Sequence, residues 1–258
     1  MKKILFTIIA IVATVLAKAE DYPFLTFQTP GKATSVEIGD KLVLTLGSDG
    51  TLTVGTHTLT LTDLSQMYFT QTPIELVTVS EVGWATHCSA NALDYVAAEG
   101  LTVYATAIDE TSGSVTPTAV TTAVEAGTGV LLSGGEGSYR VPVVASGEAL
   151  AGNSLSGTIE ALPTTSDYKY YALCKMDDTK VGFRQVQTGI DIPAGKAYYR
   201  TAASNSREYY VIGEGITAIR LSDSSVDSSE PCYDLQGRRV DHPRRGIYIR
   251  GGKRVIVK

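Results

Sequence analysis

The sequence predicts an all-β protein: an N-terminal antiparallel meander, a central β-sandwich and a small C-terminal β module. Three observations carry that expectation. Beyond residue 20, apolar residues recur with a period of two rather than 3.6. The apolar runs are short and rich in β-branched and aromatic residues, and Gly, Pro, Ser or Asp bound them. Turn signals separate those runs at the spacing of a many-stranded fold, and helical periodicity is almost absent.

The first element is an address. Lys2 and Lys3 precede an apolar run from Ile4 to Ala17, and Ala17-Lys18-Ala19 fits a small-x-small cleavage site. The run is shorter than the roughly 20 residues that span a bilayer. Residues 1–19 therefore read as a signal peptide cleaved after Ala19, and the absence of a nearby cysteine argues against a lipoprotein start.

Residues 20–73 read as a β-meander module. Leu42, Leu44 and Leu46 share one face of a strand, Gly47-Ser48-Asp49-Gly50 turns the chain, and Leu52 and Val54 resume the alternation. Leu59 and Leu61 form the next strand, and Asp63–Gln66 fits a single helical turn before Met67-Tyr68-Phe69. Residues 74–215 read as the sandwich body, with nine strand candidates from Leu76–Ser80 to Tyr209–Ile212 and one short helix at Asn91–Ala98 capped by Ser89 or Asn91. VEAGTGVLL (Val124–Leu132) and IPAGKAYY (Ile192–Tyr199) share a branched residue, Ala-Gly and a strand, and read as one β-corner used twice. Residues 216–232, rich in Ser and Asp, read as a linker. Residues 233–258 form three short strands.

Charge separates these parts. Residues 20–215 hold 10 basic and 22 acidic residues, a balance of −12, whereas residues 216–258 hold 9 and 5, a balance of +4. The acidic body excludes nucleic acid as its natural partner, because phosphate binding needs a basic footprint. Cys88, Cys174 and Cys232 allow at most one intrachain bridge, for which Cys88–Cys174 is the leading pair. Both also fit the part of small buried hydrophobes, the favoured reading.

Chemistry-bearing patterns are sparse. His57 shares strand parity with Leu59 and Leu61, and His87 and Cys88 are adjacent, so a strand points their side chains to opposite faces. Gly213–Ala218 matches a dinucleotide-binding glycine pattern, but the serine-rich stretch after it is no crossover helix. No catalytic residue, metal site or cofactor is assigned. Asp109-Glu110 and Asp177-Asp178 are weak loop candidates for Ca²⁺. Fourteen tyrosines stand against one tryptophan. Tyr168, Tyr170, Tyr199 and Tyr210 are the candidate binding surface, a platform for a glycan or a host or matrix protein, against the favoured alternative that each adjacent tyrosine pair places one ring inward and one outward. Trp84 is expected in the core.

The tail carries the most specific signal. YDLQGRRV (Tyr233–Val240), PRRGIYI (Pro243–Ile249) and KRVIVK (Lys253–Lys258) follow one another to the end of the chain. In these blocks the chain resembles the C-terminal sorting domains of the type IX secretion system of Bacteroidetes. Tyr233, Asp234, Gly237, Arg238, Gly246, Tyr248, Lys253, Val255, Val257 and Lys258 carry the match. Cys232 departs from it, standing where a branched apolar residue is more usual. The resemblance implies export through outer-membrane machinery, removal of the tail by a sortase, and a destination at the cell surface or outside the cell. FLTFQT, GWATHCSANALDY and IPAGKAYY are similar to segments of other secreted proteins of that phylum, which brings no known reaction. The expected function is that of a noncatalytic binding or surface-structural protein. The alternative is a secreted, carboxylate-based polysaccharide hydrolase, which needs two acids converging in a cleft.

Overall fold

The computed structural model describes residues 22–39, 42–176, 180–205, 207–212, 232–233, 240, 246–250 and 253–257. The predicted leader, and the predicted linker through residue 231, lie outside the described residues. Within them the chain is strand after strand with one 3₁₀ turn, so the all-β expectation holds. No described helix is long and apolar enough to cross a membrane. The chain divides into two compact units, Met1–Gly215 and Ile216–Lys258.

The first strands build a small sandwich. β1 (Phe24–Thr29) pairs with β2 (Lys32–Glu37), and β3 (Leu44–Leu46), β4 (Thr51–Val54) and β5 (His57–Thr60) form the predicted meander. β6 (Gln66–Thr70) leaves that meander and returns to the free side of β1. Alternation along β1 and β4 then sends Leu25, Phe27, Leu52 and Val54 into one fully buried layer between two three-stranded sheets. The opposite face of β1 is polar. Thr26 bonds Ser35 and Thr70 on its two neighbours, at 2.8 and 2.9 Å, and the Ile74 N–H donates to Ser35 Oγ at 2.9 Å.

Twelve strands follow. β7 (Ile74–Val79), β8 (Trp84–His87), β9 (Ala92–Leu93), β10 (Leu101–Asp109), β11 (Ser114–Ala119) and β12 (Val130–Gly134) come first. β13 (Gly137–Val144), β14 (Leu155–Thr158), β15 (Tyr168–Lys175), β16 (Val181–Gln185), β17 (Lys196–Ala202) and β18 (Tyr209–Ile212) complete the set. Nine of them join in the order β14-β17-β15-β16-β18-β11-β10-β12-β8, and β7-β13-β9 forms a second sheet. The large sheet curls until its ends nearly meet, with Thr128 bridging Ser156 and the Cys88 N–H donating to Gly195 O at 3.2 Å.

The curl explains why these strands are apolar on both faces. On β12, Leu131 points inward to Tyr171, Phe183, Tyr199 and Tyr210, while Val130 and Leu132 point outward to Val77, Val141 and Tyr95. The same alternation on β10 sends Tyr104 in and Val103 out. The inner layer fills the curl, and the outer one is a sandwich against β7-β13-β9. Trp84 lies half-buried in the inner layer, 5.6 Å from Tyr104 by ring centroids.

Several local expectations change. The helix expected over residues 91–98 is the two-residue strand β9 followed by a 3₁₀ turn, Tyr95–Ala97. Its cap is Asp94, whose carboxylate accepts the Val96 and Ala97 N–H groups at 3.1 and 3.3 Å, because Ser89 and Asn91 are bonded elsewhere. β11 escapes sequence reading because it contains Pro117. That residue is tolerated since β18 pairs only with Ser114 and Val115, leaving the rest of that edge without a ladder partner. The repeated β-corner forms the closing seam. Gly127 and Gly195 both hold positive φ, and their N–H groups reach Ser89 O and Thr158 O at 2.8 and 2.7 Å.

Cys88 and Cys174 are free thiols, which removes the leading disulfide. Cys88 is buried in the seam against Gly157, while Cys174 of β15 pairs with Gly182 of β16. In the second unit, β19 (Cys232–Tyr233), β20 (Gly246–Arg250) and β21 (Lys253–Val257) form an antiparallel sheet in that order.

The seam generates a prediction. A Cβ at Gly157 would collide with Cys88 Sγ and lie 2.7 Å from the Gly127 carbonyl. Gly157→Ala is expected to cost about 1–3 kcal/mol, the usual range for overpacking a filled site. Denaturant unfolding of the parent and variant chains measures it.

Candidate functional site

Three of the four tyrosines proposed as a platform are interior. Tyr199 and Tyr210 are 8% and 0% exposed inside the curl, and Tyr170 is 5% exposed beneath Leu162 and Ile192. Only Tyr168 reaches solvent, with the Arg200 guanidinium 4.5 Å from its ring centroid. The correction follows from curling. A strand with both faces covered buries both members of an adjacent pair, so Tyr170 and Tyr171 enter different cores, as do Tyr198 and Tyr199. Tyr209 is the outward ring in its pair.

The inward rings end in a polar cluster. Tyr171, Tyr199 and Tyr210 stack mutually with centroids 5.0–5.8 Å apart. Glu110 accepts from Tyr199 OH at 2.5 Å and from the Thr201 hydroxyl. Arg207 donates to the carbonyls of Glu110, at 2.6 Å, and Thr111. Burial and the neighbouring Tyr210 push the Tyr171 phenol up to about 12. Donors and acceptors here are matched to one another, and Glu110, Thr201 and Arg207 line an open cleft of about 670 Å³. Asp109 is spent in its turn, accepting from Thr111 N–H at 2.8 Å and Ser112 Oγ at 2.6 Å, which leaves the Asp109-Glu110 loop a structural one. Asp177 and Asp178 lie outside the described residues, as do Ala17, Ala19, Asp234, Gly237, Arg238 and Lys258. Tyr233, Gly246, Tyr248, Lys253, Val255 and Val257 fall on β19–β21. Among the described residues no three His, Cys, Asp or Glu side chains converge as a metal centre would require.

A second polar cluster lies at the open end of the body sandwich. Glu75, on β7, shares strand parity with Val77 and Val79, so it continues their inward row to the edge of the core. His87 occupies the equivalent end position on β8, beyond Ala85. Their facing ends meet, with Glu75 Oε1 3.3 Å from His87 Nε2. Ser89 Oγ donates to Glu75 Oε2 at 2.6 Å, and Asn91 Nδ2 reaches the same oxygen at 3.3 Å. On its other side, His87 Nδ1 lies 2.8 Å from the buried Tyr95 hydroxyl.

Burial works against a charge on Glu75, but hydrogen bonds from His87 and Ser89, the His87 charge and the Asn91 amide outweigh it. Its carboxyl is thus held below the ordinary value. Burial and the Glu75 charge raise the Cys88 thiol, and the same two causes raise the Tyr95 phenol. The order of contacts decides the chemistry. Glu75 stands between Ser89 and His87, so the imidazole is not placed to take the Ser89 proton, and no serine nucleophile is assembled.

Above Glu75 the polar face of the N-terminal sandwich meets the body in an open cleft of about 560 Å³. The β1–β2 and β4–β5 turns overhang it with Lys32 and His57. Glu75 and Asn91 form its polar floor, and Ile74, Leu76 and Val143 its apolar wall. His57 is exposed at the rim, where it opens β5, the edge strand of its sheet, in keeping with the edge position that its strand parity allowed. Arg140 of β13 pins the two sandwiches beside the cleft, its guanidinium 3.8 Å from the Tyr68 ring centroid and bonded to Gln28 and Gln66. Of this site only His57 and His87 stood out in the sequence. Glu75 and Asn91 carry no local signal, since they meet across separate strands. Comparisons with protein-family models, with curated proteins and with solved structures find no match.

The Glu75 network sets a testable pH dependence. A carboxyl whose folded pKa lies below its ordinary 4.5 contributes stability above that value and loses it as pH falls through the folded pKa. Glu75→Gln is expected to destabilise by about 1–3 kcal/mol near neutrality, because it strips a charged acceptor from the buried Ser89 hydroxyl and the largely buried His87 imidazole. The gap between variant and parent should close as the medium is acidified from above 4.5 through the lowered folded pKa of Glu75. Thermal unfolding of both proteins across pH measures it.

Proposed function

We propose that this chain is an exported β protein of the cell surface or extracellular medium that acts by binding, or as surface structure, rather than by catalysis. The order of the chain supports the export reading: a leader-like start, an acidic closed body, and a basic tail that resembles type IX sorting signals and belongs to a compact unit of its own. On this reading type IX-like outer-membrane machinery and a sortase are its partners in transit. A glycan or a host or matrix protein is its partner at the destination.

The observation that carries binding over catalysis is the state of Glu75. It is the single acid lining the cleft among the described residues, and three protein donors already hold it. Glycosidic hydrolysis needs a second carboxyl facing the first across the bond, one to protonate and one to attack or activate water. A carboxylate held ionised with no such partner suits recognition.

Terminal mapping by mass spectrometry tests the export reading in protein recovered from the outer membrane and culture fluid of the native host. The expected result is a start at Glu20 and an end between about residues 215 and 232. An intact Lys258 on periplasmic protein would overturn it.

A further inference from the structure

The cleft between the two sandwiches has a chemistry that narrows its ligand. Its floor is made of acceptors. Glu75 keeps one lone pair beyond those used by Ser89, Asn91 and His87, and Asn91 turns its amide NH₂ to Glu75, leaving its carbonyl to accept. Its rim is made of donors, the Lys32 ammonium and the His57 imidazole, which are the first residues of β2 and β5, just past two different turns. Among the described lining residues the charges are Lys32 and Glu75, one of each sign. A net anion would meet Glu75 at the floor, and a net cation would meet Lys32 at the rim.

A hydroxyl both donates and accepts, so a neutral polyol satisfies both rows without leaving a buried charge unpaired. Adjacent hydroxyls of a sugar can address the Glu75 carboxylate and the Asn91 carbonyl together. The C–H face of a ring can then rest on Ile74, Leu76 and Val143. The volume of about 560 Å³ falls within the range of small-molecule sites. The cleft is also open to solvent, which suits a segment of a chain more than an enclosed monomer.

The floor is preorganised. Ser89, Asn91 and His87 fix the Glu75 carboxylate before any ligand arrives, and Tyr95 fixes His87 from beneath. Little ordering cost is left for Glu75 at the moment of binding.

We propose that the cleft floored by Glu75 and Asn91 and rimmed by Lys32 and His57 binds a neutral, hydroxyl-rich oligosaccharide segment. This deepens the binding reading above and rests on it, although its test is independent of where the protein travels. The experiment is titration calorimetry of the mature protein with neutral hexasaccharides of glucose, mannose and N-acetylglucosamine. An oligogalacturonate and a dipeptide serve as the anionic and zwitterionic arms. One neutral series should bind, and Asn91→Ala and Lys32→Ala should each weaken it about tenfold or more, with Lys32→Ala keeping the unfolding midpoint of the parent. Both side chains are exposed, so neither variant threatens the core as Glu75→Gln does. Three outcomes overturn the proposal: no heat with any neutral series, binding that survives both substitutions, or preference for the oligogalacturonate or the dipeptide. A failed titration leaves the terminal mapping result standing, and a failed mapping leaves the titration standing, so the two readings fall separately.

Discussion

The body depends on one closure. β14 crosses between β17 and the start of β12, and the curled sheet nearly becomes a barrel there. Glycine makes the crossing possible, because a side chain at Gly129 or Gly157 would run into the backbone of Ser156 or Gly127. Around it the two corner glycines, Gly127 and Gly195, hold Cys88 and Ser89 from either side through main-chain bonds. Closure gives the sheet an inside, which Tyr171, Tyr199, Tyr210, Phe183 and Leu131 fill. It also leaves an outer face for β7-β13-β9 to cover. Opened at that seam, the inner aromatic layer would meet water, at a cost of roughly 1.5–3 kcal/mol for each large side chain.

The Glu75 network follows from the same geometry. The seam fixes Ser89 just past the end of β8, which brings its hydroxyl to a carboxylate on the opposite sheet. His87, one residue before the seam cysteine, faces the sandwich core and reaches both Glu75 and Tyr95. A buried polar network of this kind is stabilising only when every member is satisfied. Here it caps the open end of an apolar layer and turns one carboxylate edge toward solvent. The cleft above it exists because the N-terminal sandwich docks by a polar face, through Arg140 and Ser35, and not by an apolar one.

Much of the strand content was legible. KLVLTL, the GTGVLL corner and the tail strands declare themselves by alternation and by their turn residues. Short or atypical strands were not. β11 holds a proline and β14 a glycine at its centre, and each is a strand only because its neighbours make it one. The 3₁₀ turn at Tyr95 looked like a longer helix because Asn91–Ala98 has helix-tolerant residues, while the bridges of β9 that forbid it come from β13 and Val124. The tyrosines misled for a related reason. Alternation says that neighbours point opposite ways, and it cannot say whether the second face is wet or covered.

By itself the sequence determined the class of the fold, the turns, and the charge contrast between body and tail. These are local properties, written in periods of two and in short ordered blocks. Tertiary structure alone decided which strands share a sheet, where the sheet closes, which tyrosines are interior, and that Glu75, His87, Ser89 and Asn91 meet. Those facts depend on contacts between residues far apart in the chain, and the pairing of β14 with β17, some forty residues on, has no local signature. The cleft is of that second kind, a product of two sandwiches held together beside it by the polar contacts of Arg140 and Ser35.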